Sequence, residues 1–114
     1  MVAKQYIPDR GDLVWVDLIP TKGREQAKNR PAMVLSPKSY NQKTGLAIMC
    51  PITSVAKGYP FEVLVKDKKL SGVILSDHVR SLDWKARNVK LICKAKPKVI
   101  TEVQQKLLLL IMQK

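Results

Sequence analysis

Leu13-Val14-Trp15-Val16-Asp17-Leu18-Ile19 decides the fold. The run is rich in β-branched and aromatic residues and apolar on nearly both faces, the pattern of a strand buried on both sides. Gly11-Asp12 supplies a turn just before it. Downstream, a basic loop leads to a second apolar run, Ala32-Met33-Val34-Leu35, whose end is marked by Ser36-Pro37. Asn41-Gln42-Lys43-Thr44-Gly45 reads as turn chemistry before a third run, Leu46-Ala47-Ile48-Met49-Cys50. Phe61, Val63 and Val65 alternate with Glu62 and Lys66, the period of a strand with one wet face. Gly72-Val73-Ile74-Leu75 and Val89-Lys90-Leu91-Ile92-Cys93 fit two more short strands.

Pro97 is expected to close this β-rich part, because the tail changes period. Thr101 is read as the cap of a terminal helix with Glu102 in its first turn, and Val103, Leu107, Leu108, Leu110 and Ile111 follow at helical spacing. Such a stripe serves core packing or a subunit contact, since a lone helix gains most of its stability by burying it. Five to seven short strands and one late helix predict a mainly β protein, a small curled sheet or barrel with a C-terminal α-helix. At 114 residues a single domain over 1–114 is expected.

Lys and Arg outnumber Asp and Glu 21 to 9, a net charge of +12. An excess of this size favours polyanions through counterion release, so nucleic acid is the first partner expected and an anionic protein segment the second. No segment has the ~20 apolar residues of a membrane span, and the first residues lack the apolar core of a secretory signal. A cytoplasmic protein with no membrane partner is expected. Cys50 and Cys93 lack the paired spacing of a zinc site and read as small buried hydrophobes; with His78 the one histidine, neither a metal centre nor a cofactor is expected.

The loop Pro20-Thr21-Lys22-Gly23-Arg24-Glu25-Gln26-Ala27-Lys28-Asn29-Arg30-Pro31 gathers one carboxylate, four cations and two amides. Cations hold a phosphate and stabilise the charge it gains in a transition state, while a carboxylate among them can take a proton. These are the parts of a metal-free phosphodiester-cleaving site. The plainer reading is a solvated connection, with Arg30 paired to a carboxylate such as Asp17. Trp15 and Trp84 are read as core rather than as platforms for stacked bases.

The chain resembles the MazF-type toxins of bacterial toxin–antitoxin pairs, within the wider MazF/PemK/CcdB group. The likeness rests on Gly11-Asp12-Leu13-Val14-Trp15-Val16-Asp17, Pro20-Thr21-Lys22-Gly23-Arg24-Glu25-Gln26, Asn29-Arg30-Pro31-Ala32, Val34-Leu35-Ser36-Pro37, Pro51-Ile52-Thr53-Ser54, Lys57-Gly58-Tyr59-Pro60-Phe61-Glu62-Val63 and Ser76-Asp77-His78-Val79-Arg80-Ser81-Leu82-Asp83-Trp84. The resemblance implies an SH3-like twisted β-barrel with helices, working as a homodimer. It also implies a sequence-specific, metal-independent endoribonuclease that cuts single-stranded RNA, arrests growth and is neutralised by a cognate acidic antitoxin. Carried across by position, the family's catalytic groups fall on Glu25, Arg30 and Thr53, and Lys22, Arg24, Gln26, Lys28 and Lys57 are taken as RNA-binding.

In that chemistry the ribose 2′-hydroxyl attacks its own phosphate. Glu25 is then the base, Arg30 the phosphate clamp and Thr53 a donor to a non-bridging oxygen. Two positions depart from related patterns. Leu75 stands where some members carry an Arg two residues before the aspartate aligned with Asp77, which leaves Asp77 a structural role, and His78 stands where close relatives often have Gln. His78 is expected to be a hydrogen-bonded scaffold residue. The alternatives are a CcdB-like poison of DNA gyrase on the same fold, and a domain that binds RNA without cutting it.

Overall fold

The computed structural model describes residues 5–17 and 29–113. The apolar runs form seven strands: β1 (Asp12–Asp17), β2 (Asn29–Val34), β3 (Leu46–Thr53), β4 (Glu62–Lys66), β5 (Ser71–Leu75), β6 (Arg80–Asp83) and β7 (Lys90–Lys94). Helix α1 (Lys38–Thr44) lies between β2 and β3, and α2 (Pro97–Met112) ends the chain. The strands run antiparallel in the order β4-β5-β3-β2-β1-β7, with β6 also paired to β3. The result is a curled, half-barrel sheet with a C-terminal helix, as expected from the alternation of apolar runs and turns.

β3 makes the curl. Its first half pairs with β6 from Leu46↔Asp83 to Met49↔Arg80, whereas its last two residues pair with β5 through Ile52↔Ile74 and Thr53↔Val73. On its other side it holds β2 only through Val34↔Met49, Met33↔Cys50 and Ala32↔Pro51. Pro51 has no N–H to give, so the ladder ends where the proline stands and the two strands part.

Strand alternation divides the interior into two cores. The first unites Leu13, Met33, Cys50, Ile52, Val63, Val65 and Ile74 with Val99 and Val103 of α2. Complete burial of a valine such as Val103 stabilises by roughly 1.5–3 kcal/mol. The second unites Val14, Val16, Ala32, Val34, Ala47, Met49 and Leu82 under Trp84, with Tyr6 and Ile7 packed against it.

Three sequence expectations need correction. The turn expected over 41–45 is instead the second half of a short helix, α1, and its cap; the first free N–H of the helix, that of Lys38, is capped by the Asp9 carboxylate at 2.9 Å from 29 residues away. Gly45, at φ 74°, closes it in the left-handed conformation that glycine adopts most easily. α2 starts at Pro97 rather than after Thr101, with Pro at the first helical position, where its missing N–H costs nothing. β6 has only one buried apolar residue, Leu82, and was not anticipated.

Polar ties close the N-terminal corner. Asp12, almost wholly buried, accepts from the Asp9 N–H at 3.0 Å, the Lys94 ammonium at 2.7 Å and the Tyr6 hydroxyl. Burial, then the hydrogen bond to Asp12, raises the Tyr6 pKa far above its ordinary value, and the Asp12 contact also raises that of Lys94. Gly11, at φ 89°, lets α2 come close: a Cβ there would stand 2.4 Å from the Ile100 side chain. Cys50 is buried as expected, and desolvation pushes its thiol up to about 12; Cys93 is only partly buried.

Candidate active site

Where β2 and β3 part, a cleft of about 600 Å³ opens. Its walls include Arg30 and Pro31 from β2, Pro51 and Thr53 from β3, Trp15 from β1 and Ser71 from β5. The β2–β3 register accounts for the pairing of chemistry. Ala32 lies opposite Pro51, and the same register continued two residues toward the loop puts Arg30 opposite Thr53, both on the face of Ala32 and Met49. Two residues 23 positions apart in sequence therefore line one cleft.

Arg30 is exposed and pairs with no carboxylate among the described residues. The structural reading weighed for it, an ion pair with Asp17, is not found. Asp17 accepts instead from the Asn88 side-chain amide at 3.0 Å, and its carbonyl accepts from Arg87 at 3.1 Å. Thr53 Oγ1 accepts from the Val55 N–H at 3.2 Å. That bond occupies one lone pair and orients the hydroxyl, leaving its proton available to a ligand oxygen. Gly72 presses on the Thr53 backbone: a Cβ at Gly72 would stand 2.5 Å from the Thr53 carbonyl oxygen.

Glu25, Lys22, Arg24, Gln26 and Lys28 lie outside the described residues. Lys57 is exposed on the loop after β3 and does not line the cleft; its N–H and that of Gly58 donate to the Glu62 carboxylate at 3.0 and 3.1 Å, which shapes that loop. Trp84 is core as expected, its indole N–H donating to the Asn41 carbonyl at 2.9 Å. Trp15 is not: it is 38% exposed and faces the cleft. It shares a strand face with Leu13, so periodicity assigned it to the interior, but the core under that face stops one residue pair earlier. His78 makes no side-chain hydrogen bond among the described residues, so the expected hydrogen-bonded scaffold role is not found there; the Asp77 carboxylate lies 3.8 Å away.

Among the described residues, an uncapped cation, an oriented hydroxyl and an exposed indole define a cleft suited to a single-stranded phosphodiester chain. The model of the PemK-like, MazF-like toxins of type II toxin–antitoxin systems matches residues 9–111, and the chain belongs to that family. It is 54% identical over 86 residues to the endoribonuclease toxin MazF of Escherichia coli K12, covering 75% of this chain and 78% of that one. It is 35% identical over 100 residues to the endoribonuclease toxin ChpB of the same organism, covering 82% and 85%. Among solved structures, a MazE-MazF crystal structure from Deinococcus radiodurans superposes with a TM-score of 0.86 at 45% identity, covering 96% of this chain and all of that one. Relatives named as endoribonucleases decide against the gyrase-binding alternative.

Proposed function

We propose that this chain is an endoribonuclease toxin that cuts single-stranded RNA by internal transesterification and is held in check by an antitoxin. The observation that carries this reading is that Arg30 and Thr53 line one cleft at the fork between β2 and β3. The 2′-hydroxyl gives its proton to Glu25 and its oxygen bonds to phosphorus. The bond from phosphorus to the 5′-oxygen breaks, and that oxygen takes up a proton. The products are a 2′,3′-cyclic phosphate and a 5′-hydroxyl. Arg30, always charged, clamps the non-bridging oxygens, and Thr53 donates to one of them as their charge grows. Trp15 offers a face on which a neighbouring base stacks. No step calls for a metal or cofactor.

The chain acts as a single cytoplasmic domain over 1–114, paired in a homodimer. The outer side of α2 supports the dimer: Leu108, Leu109, Ile111 and Met112 are all more than half exposed, more apolar surface than a helix end leaves to water without a partner. With +12 of charge, an acidic antitoxin segment that occupies the phosphate positions would block the cleft. Messenger RNA is the target through which such a toxin inhibits translation and growth.

The test is incubation of the protein with a single-stranded RNA in EDTA, followed by the same RNA carrying one 2′-deoxyribose at the cut. Cutting of the first and not the second is expected. Cutting of the deoxy-substituted site would show that water is the nucleophile. Binding without any cutting would leave only the RNA-binding alternative.

A further inference from the structure

Among the described residues the cleft is lined by one cation, Arg30. Four more surround a neighbouring cavity of about 250 Å³, at the edge where β4, β7 and the start of α2 meet: Lys66, Lys94, Lys96 and Lys98. The two hollows adjoin. Leu13 lines the cavity and Trp15 the cleft, two residues apart on one face of β1 and so about 7 Å from each other. The turn between β4 and β5 joins them a second time, with Lys66 and Asp67 in the cavity wall and Leu70 and Ser71 in the cleft wall.

The fold does not account for these lysines. All four are exposed, and only Lys94 has a carboxylate partner among the described residues, Asp12 at 2.7 Å. Asp67, the one acid in the cavity wall, is engaged by its own turn: its carboxylate accepts from the Lys69 N–H at 3.0 Å, and its N–H donates to the Leu70 carbonyl at 3.0 Å. Like charges crowded around a hollow repel one another, a cost that a bound polyanion removes. A lysine ammonium is a point charge on a flexible stem, suited to phosphate oxygens rather than to the edges of bases.

We propose that Lys66, Lys96 and Lys98 form a phosphate-binding exosite that holds the RNA strand outside the cleft, a few nucleotides from the cut. The inference rests on the RNA-cleaving reading above and adds how a longer strand is held. Phosphate contacts carry no base preference, so the exosite raises affinity for any strand long enough to span both hollows. Counterion release makes that gain sensitive to salt.

The test measures binding and cleavage separately against RNA length. Binding is followed by fluorescence anisotropy on mixed-sequence 2′-O-methyl RNAs, which lack the attacking hydroxyl, in lengths from about 4 to about 12 nucleotides. Cleavage is followed on the matching unmodified RNAs. Wild type should bind the long RNAs about 10-fold more tightly than the short ones and lose the difference as salt rises. Lys96→Ala with Lys98→Ala is compared with Lys43→Ala with Lys85→Ala, which removes the same charge from exposed positions elsewhere. The first pair should abolish the length gain and raise KM about 10-fold on long RNA, with kcat, the KM of short RNA and the melting temperature unchanged. Lys96→Arg with Lys98→Arg should keep the gain, as should the Lys43 and Lys85 pair. The exosite is overturned if the two alanine pairs act alike, if the Lys96 and Lys98 pair weakens short and long RNA equally, or if wild-type affinity does not depend on length. Wild type that binds with the length gain but cuts nothing would refute the nuclease reading and leave the exosite standing.

Discussion

The two faces of the sheet are finished differently. Over the first, α2 brings Val99 and Val103 into one core with Leu13, Val63 and Val65, and apolar surface meets apolar surface as far as Leu13, one position short of the exposed Trp15. Over the second, Tyr6, Ile7 and Trp84 cover Val14, Val34 and Ala47, but the cover stops short of the β2–β3 fork. At that uncovered end stand Arg30, Thr53, His78 and Arg80. A cation under a covering helix would lose its hydration without gaining a partner, whereas at an open sheet end it stays solvated until an anion replaces the water. Stability is therefore concentrated on one face and ligand chemistry at the open end of the other.

If this division is right, changes at the two places should be separable. Arg30→Ala should slow RNA cleavage by ~100-fold or more, about 2.7 kcal/mol of lost transition-state stabilisation, while leaving the melting temperature unchanged. A folded Arg30→Ala protein cutting at the wild-type rate would break the assignment. Val103→Ala should do the reverse. Removing two buried methyl groups and leaving a cavity should cost about 2 kcal/mol of unfolding free energy in denaturant titration, with the turnover of the folded fraction unaltered.

Gly72→Ala should blur the comparison. Its Cβ would stand 2.5 Å from the Thr53 carbonyl oxygen, so β3 or β5 must shift, and Thr53 with it. We expect about 1–2 kcal/mol of destabilisation together with a cleavage rate lowered about 10-fold. A loss of stability with unchanged kcat would show that Thr53 does not need its present position.

The smallest effect expected is on pH dependence, and it belongs to the clasp at the N-terminal corner. The Lys38 N–H, the main cause, holds the Asp9 carboxyl below its ordinary range. A lowered acid contributes stability that is present above its unfolded pKa and is lost as pH falls through the folded one, so the loss is acidic. Tyr6 and Lys94 are raised, and their contribution is present below their unfolded pKa values, near 10, and is lost as pH climbs beyond them. Melting temperature should therefore fall both below about pH 4 and above about pH 10. Asp9→Ala should flatten mainly the acid limb and weaken the alkaline one slightly, because the Asp9 charge helps to raise Tyr6 and Lys94, whereas Tyr6→Phe should flatten only the alkaline one; a Tyr6→Phe protein with the wild-type alkaline limb would remove Tyr6 from the clasp.

The strands were legible because their cause is local. Leu13, Val14 and Val16, or Val63 and Val65, are apolar at the spacing that a pleated backbone needs to bury them, and turn residues stand between the runs. The sequence also pointed to Arg30 and Thr53, through blocks whose order and spacing resemble a known family, and to the preference for polyanions, through its charge. What it could not show depended on contacts distant in sequence. α1 has only seven residues and owes its first cap to Asp9 and its anchoring to Asn41, whose side-chain amide donates to the Pro8 and Ser36 carbonyls. β6 exists because Met49 and its neighbours on β3 leave an edge to be paired. Trp15 looked interior because alternation records which side a residue faces, not where the opposing layer ends. The cleft itself follows from Pro51 stopping a ladder at the point where β3 turns to a new partner, and the meeting of His78 and Arg80 with Arg30 and Thr53 on one face was decided only by the registers of three strands. Local pattern determines which residues seek burial; the tertiary structure decides which charged and polar groups are left together at the place where burial stops.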